Sequence, residues 1–217
     1  SFKNSDGKAA GYSVDLCKAA AAEAAVKLGV AELKLVEVEV TAADRLDAIP
    51  AGKIDLLCEA TTVTLSRREA ADFSMPTFAT GASLLYPKNG ATSFDQLDGK
   101  KVGVLTGSTT ETGLKKALEA AKIDATIVAV PTHTDGIERL ANGEFAAYFG
   151  DGAILLFNLM QSPFRDRLLM SDKVLSFEPY ALALPKGDDE FRLVVDRALA
   201  RLSRTGEVGA IFERNFG

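Results

Sequence analysis

Short aliphatic runs and helical segments exchange along the whole chain, and this repeated exchange is what most constrains the fold. Leu33 to Val40 (LKLVEVEV) alternates apolar and polar residues, which predicts a strand. Ile54 to Cys58 is an apolar run of buried-strand length, and Gly81–Tyr86, Lys101–Leu105, Ile127–Val130, Phe145–Phe149, Val174–Phe177 and Tyr180–Leu184 read as further strands. Helices are expected between them. The first runs from a Ser13 cap to a stop at Gly29. A short one follows the capping-box residues Thr41 and Asp44, and Thr64 or Ser66 caps another that carries Arg67 and Arg68. Later helices cover Glu111–Ala121, Thr132–Ala141, Ala153–Met160, Glu190–Ser203 behind Asp188, and Glu207–Asn215, with one turn at Ser93–Leu97. This alternation predicts α/β architecture with mostly parallel sheets. Pro87-Lys88-Asn89-Gly90 is a turn signal after which the pattern restarts. The expected organisation is two lobes, the second inserted in the first: residues 1–82 with 181–217, and residues 83–180.

Chemistry concentrates in Ala60 to Ser74 (ATTVTLSRREAADFS). Arginines in the first turn of a helix work against the positive end of the backbone dipole, and a bound anion offsets that cost. A strand end, the Thr62 hydroxyl and a guanidinium that pairs with carboxylates in bidentate fashion together make a carboxylate receptor. In parallel sheets ligands sit at the carboxyl ends of strands, beside helix N-termini. Thr62, Arg67, Thr109 and Asp151 all fall at strand-to-helix junctions of the expected pattern.

Several classes are disfavoured. The net charge of −5 and pI near 5.1 argue against nucleic acid as a partner. The apolar runs fall far short of the ~18 residues of a membrane span. Cys17 and Cys58 form no metal motif, and His133 is the single histidine, so neither a metal nor a cofactor is expected. No signal peptide is evident, which leaves a cytosolic protein or a mature secreted one.

The serial order of GYSVDL, AGKIDLLCEATTVTLSRREAADFS, LDGKKVGVLTGSTTETGLKKAL, FGDGA, EPYALALPKGDDEF and RTGEVGAIFERNFG resembles the periplasmic amino-acid-binding proteins of ABC importers, the family-3 solute-binding proteins. The run Cys58 to Thr62 before the arginine makes it most similar to the glutamate/aspartate-binding branch. The resemblance implies a two-lobed, type II periplasmic-binding-protein fold with hinge strands between the lobes and the ligand in the cleft. It implies a non-enzymatic, monomeric, extracytoplasmic carrier, its signal peptide removed, that hands an amino acid to a membrane permease. It also implies roles. Arg67 grips the α-carboxylate with Thr62 and Thr109, while Asp151 and the Ala60 carbonyl take the α-ammonium. Arg45 and His133 take the side-chain carboxylate. Glu59, Tyr12 and Ser108 are secondary candidates.

Three departures from that branch bear on specificity. Ser1 falls after the place where the family has its first strand, which in the acidic branch supplies a second arginine. Ala42 stands where the branch has a serine, and Glu59 replaces a small residue. A Glu59 that faces the pocket would favour glutamine, asparagine or another polar amino acid. It also supports an enzymatic alternative, a dehydratase or lyase on the same scaffold with Glu59 as general acid. A receptor's ligand-binding domain is a third reading. An exported protein permits a Cys17–Cys58 disulfide, although two buried thiols are the simpler expectation.

Overall fold

The computed structural model describes all residues, Ser1–Gly217. In chain order the elements are β1 (Phe2–Lys3), β2 (Ala9–Ala10), α1 (Tyr12–Leu28), β3 (Asp72–Phe73), β4 (Phe78–Thr80), β5 (Ala82–Pro87), β6 (Lys101–Leu105), α2 (Thr109–Ala121), β7 (Thr126–Val130), α3 (His133–Ala141), β8 (Ala147–Asp151), α4 (Gly152–Gln161), β9 (Leu168–Met170), β10 (Glu178–Tyr180), β11 (Ala183–Leu184), α5 (Asp189–Thr205) and α6 (Glu207–Phe216). Single 3-10 turns occupy Arg67–Glu69, Phe94–Leu97 and Arg165–Arg167. The chain divides into two compact units, one of Ser1–Ala79 with Pro179–Gly217 and one of Thr80–Glu178.

The continuous unit is built on a five-stranded sheet in the order β7-β6-β8-β5-β9. Strand β6 runs parallel to β7 and β8, while β5 runs antiparallel to β8 and β9. The sheet is therefore mixed rather than mostly parallel, because β5 enters against the direction of the β6–β8 repeat. Successive side chains point to opposite faces, and both faces are buried. Leu84, Val102, Val104 and Phe149 meet Leu114 and Leu118 of α2 on one side. Leu85 and Tyr148 meet Ile137, Leu140 and Leu155 of α3 and α4 on the other. The expected strand Val174–Phe177 does not form. Leu168–Met170 takes the edge beside β5, and Val174, Leu175 and Phe177 lie exposed.

The discontinuous unit is organised around residues 179–184. Ala181, Leu182, Ala183 and Leu184 are fully buried. A buried backbone must hydrogen-bond, and this one does so on both edges. On one edge Leu57 N donates to Ala183 O, Val63 N to Pro179 O and Ala181 N to Thr61 O. On the other, Ser74 N donates to Leu182 O and Thr77 N to Tyr180 O, while β11 pairs antiparallel with β3. Helix α1 packs on α5 and α6 through Tyr12, Leu16, Ala20, Val195, Leu199 and Ile211.

Several local expectations are corrected here. Gly11, not Ser13, occupies the N-cap of α1, while Gly29 closes it in the left-handed conformation at φ 68°. Arg67 and Arg68 sit in one 3-10 turn instead of a helix, with Arg67 N donating to Thr64 Oγ1 at 3.1 Å. The capping box is present: Thr41 N donates to Asp44 Oδ1 at 2.6 Å and Asp44 N to Thr41 Oγ1 at 3.3 Å. Leu33–Val40 is not a strand. Its sequence alternation buries neither face: it joins no ladder, and Leu33, Leu35, Val36 and Val38 are all exposed. Ile54–Cys58 likewise makes only the Leu57–Ala183 bridge. No parallel sheet forms in this unit.

Cys17 and Cys58 are joined in a disulfide instead of remaining thiols, with Cα atoms 5.9 Å apart. The bond ties α1 to the segment that leads to Thr62, and it closes a loop of 41 residues. A loop of that length constrains the unfolded chain by about 4 kcal/mol in the entropic description. The Cys17→Ser/Cys58→Ser variant should lose about 2–4 kcal/mol in urea unfolding. A change below about 0.5 kcal/mol would count against a formed bond.

Asp15 joins α1 to α6, accepting from Arg214 Nη2 at 2.9 Å and Asn215 Nδ2 at 3.1 Å. Partial burial pushes its pKa up, but the bonds and charge of Arg214 and Asn215 outweigh this and hold it below the ordinary value. A depressed carboxylate pKa stabilises the native state above the unfolded value near ~4, and that stability is lost as pH falls through the native value. Asp15→Asn should therefore lower the thermal midpoint at pH 7 and leave it unchanged near pH ~2. An equal loss at both pH values would overturn this account.

Candidate ligand-binding site

In the discontinuous unit, the backbone bonds to residues 179–183 fix the segment that bears Glu59, Ala60, Thr61 and Thr62. Thr62 is buried and bridges Tyr180. Arg67 turns back on this segment, donating from Nη1 to Thr62 O at 2.8 Å. The guanidinium is thus aimed by two local bonds, one to the Thr62 carbonyl and one from its own amide to Thr64. Arg68 lies exposed, over the Phe73 ring at 5.6 Å, and Phe73 is core.

Arg45 is buried beside the same segment. Its Nη1 donates to Glu59 Oε2 at 2.9 Å and to Ala60 O at 3.3 Å, and its Nε has no hydrogen-bond partner. The Arg45 side chain is 8% exposed and that of Glu59 28%. Glu59, flagged as a departure in the sequence, is therefore the counter-ion of Arg45. Part of the positive charge assigned to a ligand is already balanced, and one lone pair of the Ala60 carbonyl is used. Removing one member of a buried pair strands the other charge. Glu59→Gln should cost about 2 kcal/mol of stability, and adding Arg45→Met should recover most of it, as read by urea unfolding. If Glu59→Gln costs nothing, the pair is not formed in solution.

In the continuous unit, Thr109 opens α2, but Ser108 is the cap. Ser108 Oγ accepts from Glu111 N at 3.1 Å, donates to Leu105 O at 2.6 Å and lies 2.8 Å from Thr110 Oγ1. Ser108 is thus occupied in holding the loop. Thr109 Oγ1 donates to Glu178 Oε2 at 2.9 Å. His133 opens α3 behind the Thr132 cap, with Nδ1 3.1 Å from the Tyr148 hydroxyl. Burial pushes the Tyr148 phenol far above its ordinary pKa, so it keeps its proton. When that phenol donates to Nδ1, a neutral imidazole carries its proton on Nε2. Gly136 permits this contact, because a Cβ there would sit 2.3 Å from the Tyr148 ring.

Asp151 ends β8 at the N-cap position of α4, yet its side chain makes no capping bond. The helix is capped by others: Gly152 N donates to Gly81 O at 2.8 Å and Ala153 N to Thr80 Oγ1 at 3.2 Å. The Asp151 carboxylate is therefore released from the task that its position would ordinarily give it.

Tyr12, a secondary candidate, sits in the aromatic packing of α1. Its hydroxyl donates to Thr77 O at 2.9 Å, and its ring meets Phe78 and Phe212 edge-on. The sequence reading missed Glu178, Tyr148 and Thr80. Glu178 lies in the quoted EPYALALPKGDDEF block, but nothing local marks its partner as Thr109. No three His, Cys, Asp or Glu side chains gather in a way that would hold a metal ion.

The architecture is that of the two-lobed, type II periplasmic binding proteins. An ancestral arginine-binding protein solved with arginine is 31% identical and superposes with a TM-score of 0.86, covering 100% of this chain and 92% of that one. The whole chain, residues 1–217, matches the bacterial extracellular solute-binding proteins, family 3, and it belongs to that family. The L-glutamate/L-aspartate-binding protein of Pseudomonas aeruginosa is 31% identical, covering 97% of this chain and 70% of its own. The glutamate/aspartate import solute-binding protein of Salmonella typhimurium is 30% identical, covering 100% and 72%. No helix is long and apolar enough to cross a membrane.

Proposed function

We propose that this protein is a non-enzymatic, extracytoplasmic carrier that binds glutamate or aspartate and delivers it to an ABC permease. The observation that carries the amino-acid reading is Asp151: a carboxylate at a helix N-cap position whose capping work is done by Thr80 and Gly81. Such a group suits an ammonium as a charge-assisted partner. Arg67, aimed by Thr62 and Thr64, takes the α-carboxylate. The names of the relatives from Pseudomonas and Salmonella support the acidic substrate, and His133 supplies Nε2–H toward a side-chain carboxylate. Because Glu59 is tied to Arg45, it does not serve as the general acid of a dehydratase.

The Arg45–Glu59 pair favours a second reading, in which the substrate is the neutral amide, glutamine or asparagine. Arg45 already carries its counter-charge, and a buried site that adds a second carboxylate to one arginine is electrostatically crowded.

Titration calorimetry with glutamate, aspartate, glutamine, asparagine and arginine separates these readings. Arg67→Ala should abolish binding of every amino acid, whereas Arg68→Ala should not. Asp151→Asn should weaken binding by about 1.5–3 kcal/mol. Glu59→Gln should tighten the acids relative to the amides. Tighter binding of an amide or of arginine than of either acid would replace the acidic assignment. Full binding by Arg67→Ala would move the site elsewhere.

A further inference from the structure

Glu178 is 6% exposed, and a glutamate this buried needs partners. It has two hydroxyls within its own unit: Thr109 Oγ1 at 2.9 Å on Oε2 and Ser176 Oγ at 2.7 Å on Oε1. A carboxylate only accepts, so both hydroxyls must donate. The direction is independently fixed at Ser176, whose oxygen accepts Ala82 N–H at 3.0 Å and so turns its proton to Glu178. The hydrogen bonds therefore run from the Ala82 amide through Ser176 to Glu178, and from Thr109 to the same carboxylate.

We propose that Glu178 is a positioning residue that sets the polarity of Thr109. This rests on the amino-acid-carrier reading and on Thr109 being part of that site, as the family resemblance implies; it replaces the α-carboxylate grip that the resemblance assigns to its hydroxyl. With its one proton committed to Glu178, the Thr109 hydroxyl can act toward any other group only as an acceptor. It accepts from an ammonium or another N–H group and does not donate to a carboxylate. A carboxylate near this residue is met by the backbone amides at the start of α2 instead. Glu178 is also the last residue of its unit, and Ala82 lies two residues past Thr80, the first. The network thus links both points where the chain crosses between units to one side chain of the site.

The chemistry of an amide makes the idea testable by sign. In Glu178→Gln, Ser176 still points its proton inward, so the amide oxygen must face Ser176 and the NH₂ must face Thr109. The Thr109 hydroxyl is then forced to accept from Gln and to donate outward. Calorimetry with glutamate should show binding weakened about 5–20-fold in Glu178→Gln, no further loss when Glu178→Gln is added to Thr109→Val, and partial recovery in Glu178→Gln/Ser176→Ala, where the amide can turn over. Thermal unfolding should show each variant folded at the titration temperature. Unchanged or tighter binding in Glu178→Gln, or a loss that persists in the Thr109→Val background, would overturn the proposal. If the parent binds no amino acid, the carrier reading fails and the polarity role falls with it. Amide hydrogen exchange at residues 107–111 of the ligand-free protein then decides the positioning role alone. It should speed up several-fold in Glu178→Gln but not when Thr109 is already Val, and unchanged exchange would refute it.

Discussion

The positions of Arg45, Glu59, Thr62 and Arg67 depend on the buried backbone of residues 179–184. Four consecutive residues with no exposed surface cannot leave amides or carbonyls unsatisfied. The demand is met by residues 57–63 on one edge and 72–77 on the other. These are the two ends of the stretch that carries the arginine turn. The 3-10 turn at Arg67–Glu69 is therefore suspended between two anchored ends, and its geometry follows from the anchors rather than from helix propensity. This explains why Arg67 can sit in so short an element and still be aimed.

Much of the continuous unit was legible in the sequence. The strands expected at Lys101–Leu105 and Ile127–Val130 and helix α2 follow from local patterns that tertiary structure had no reason to override, as does the Asp188 cap of α5 in the other unit. The discontinuous unit was less legible, because a strand is defined by its neighbour. Leu33–Val40 has the period of a strand and remains irregular, while residues 179–184 act as the central strand with little alternation. Thr62, Arg67, Thr109 and Asp151 were singled out by spacing and resemblance, and the placement of Thr109 and Asp151 at strand-to-helix junctions could be read in advance. Their chemical condition could not. That Glu59 neutralises Arg45, that Thr80 relieves Asp151 of capping, and that Glu178 holds Thr109 are pairings across 14, 73 and 69 residues.

These pairings share a physical logic. A side chain near a helix start is normally consumed by the unsatisfied amides there. In this protein a neighbour takes over that duty. Ser108 caps α2 so that Thr109 need not, and Thr80 caps α4 so that Asp151 need not. The side chains at these junctions are therefore not used to cap their own helices, and Thr109 bonds Glu178 instead. Electrostatic economy is visible at Arg45 as well, where the cation is buried only together with its anion.

The division of the chain constrains the order in which the two units can be completed. The continuous unit contains its whole sheet between Thr80 and Glu178, so it can form while the rest of the chain is still being made. The other unit cannot. Its spine and the helix that covers α1 both lie near the C-terminus, and its core closes only when the last segment returns to the first. Contacts of such sequence separation are slow to form. Until then Leu16 and Ala20 lack the α5 and α6 surface they pack on, while Leu57 has only its N-terminal neighbours such as Ile49 and Phe73. A chain interrupted before Pro179 would consequently carry one unit with its whole sheet and one open, apolar half.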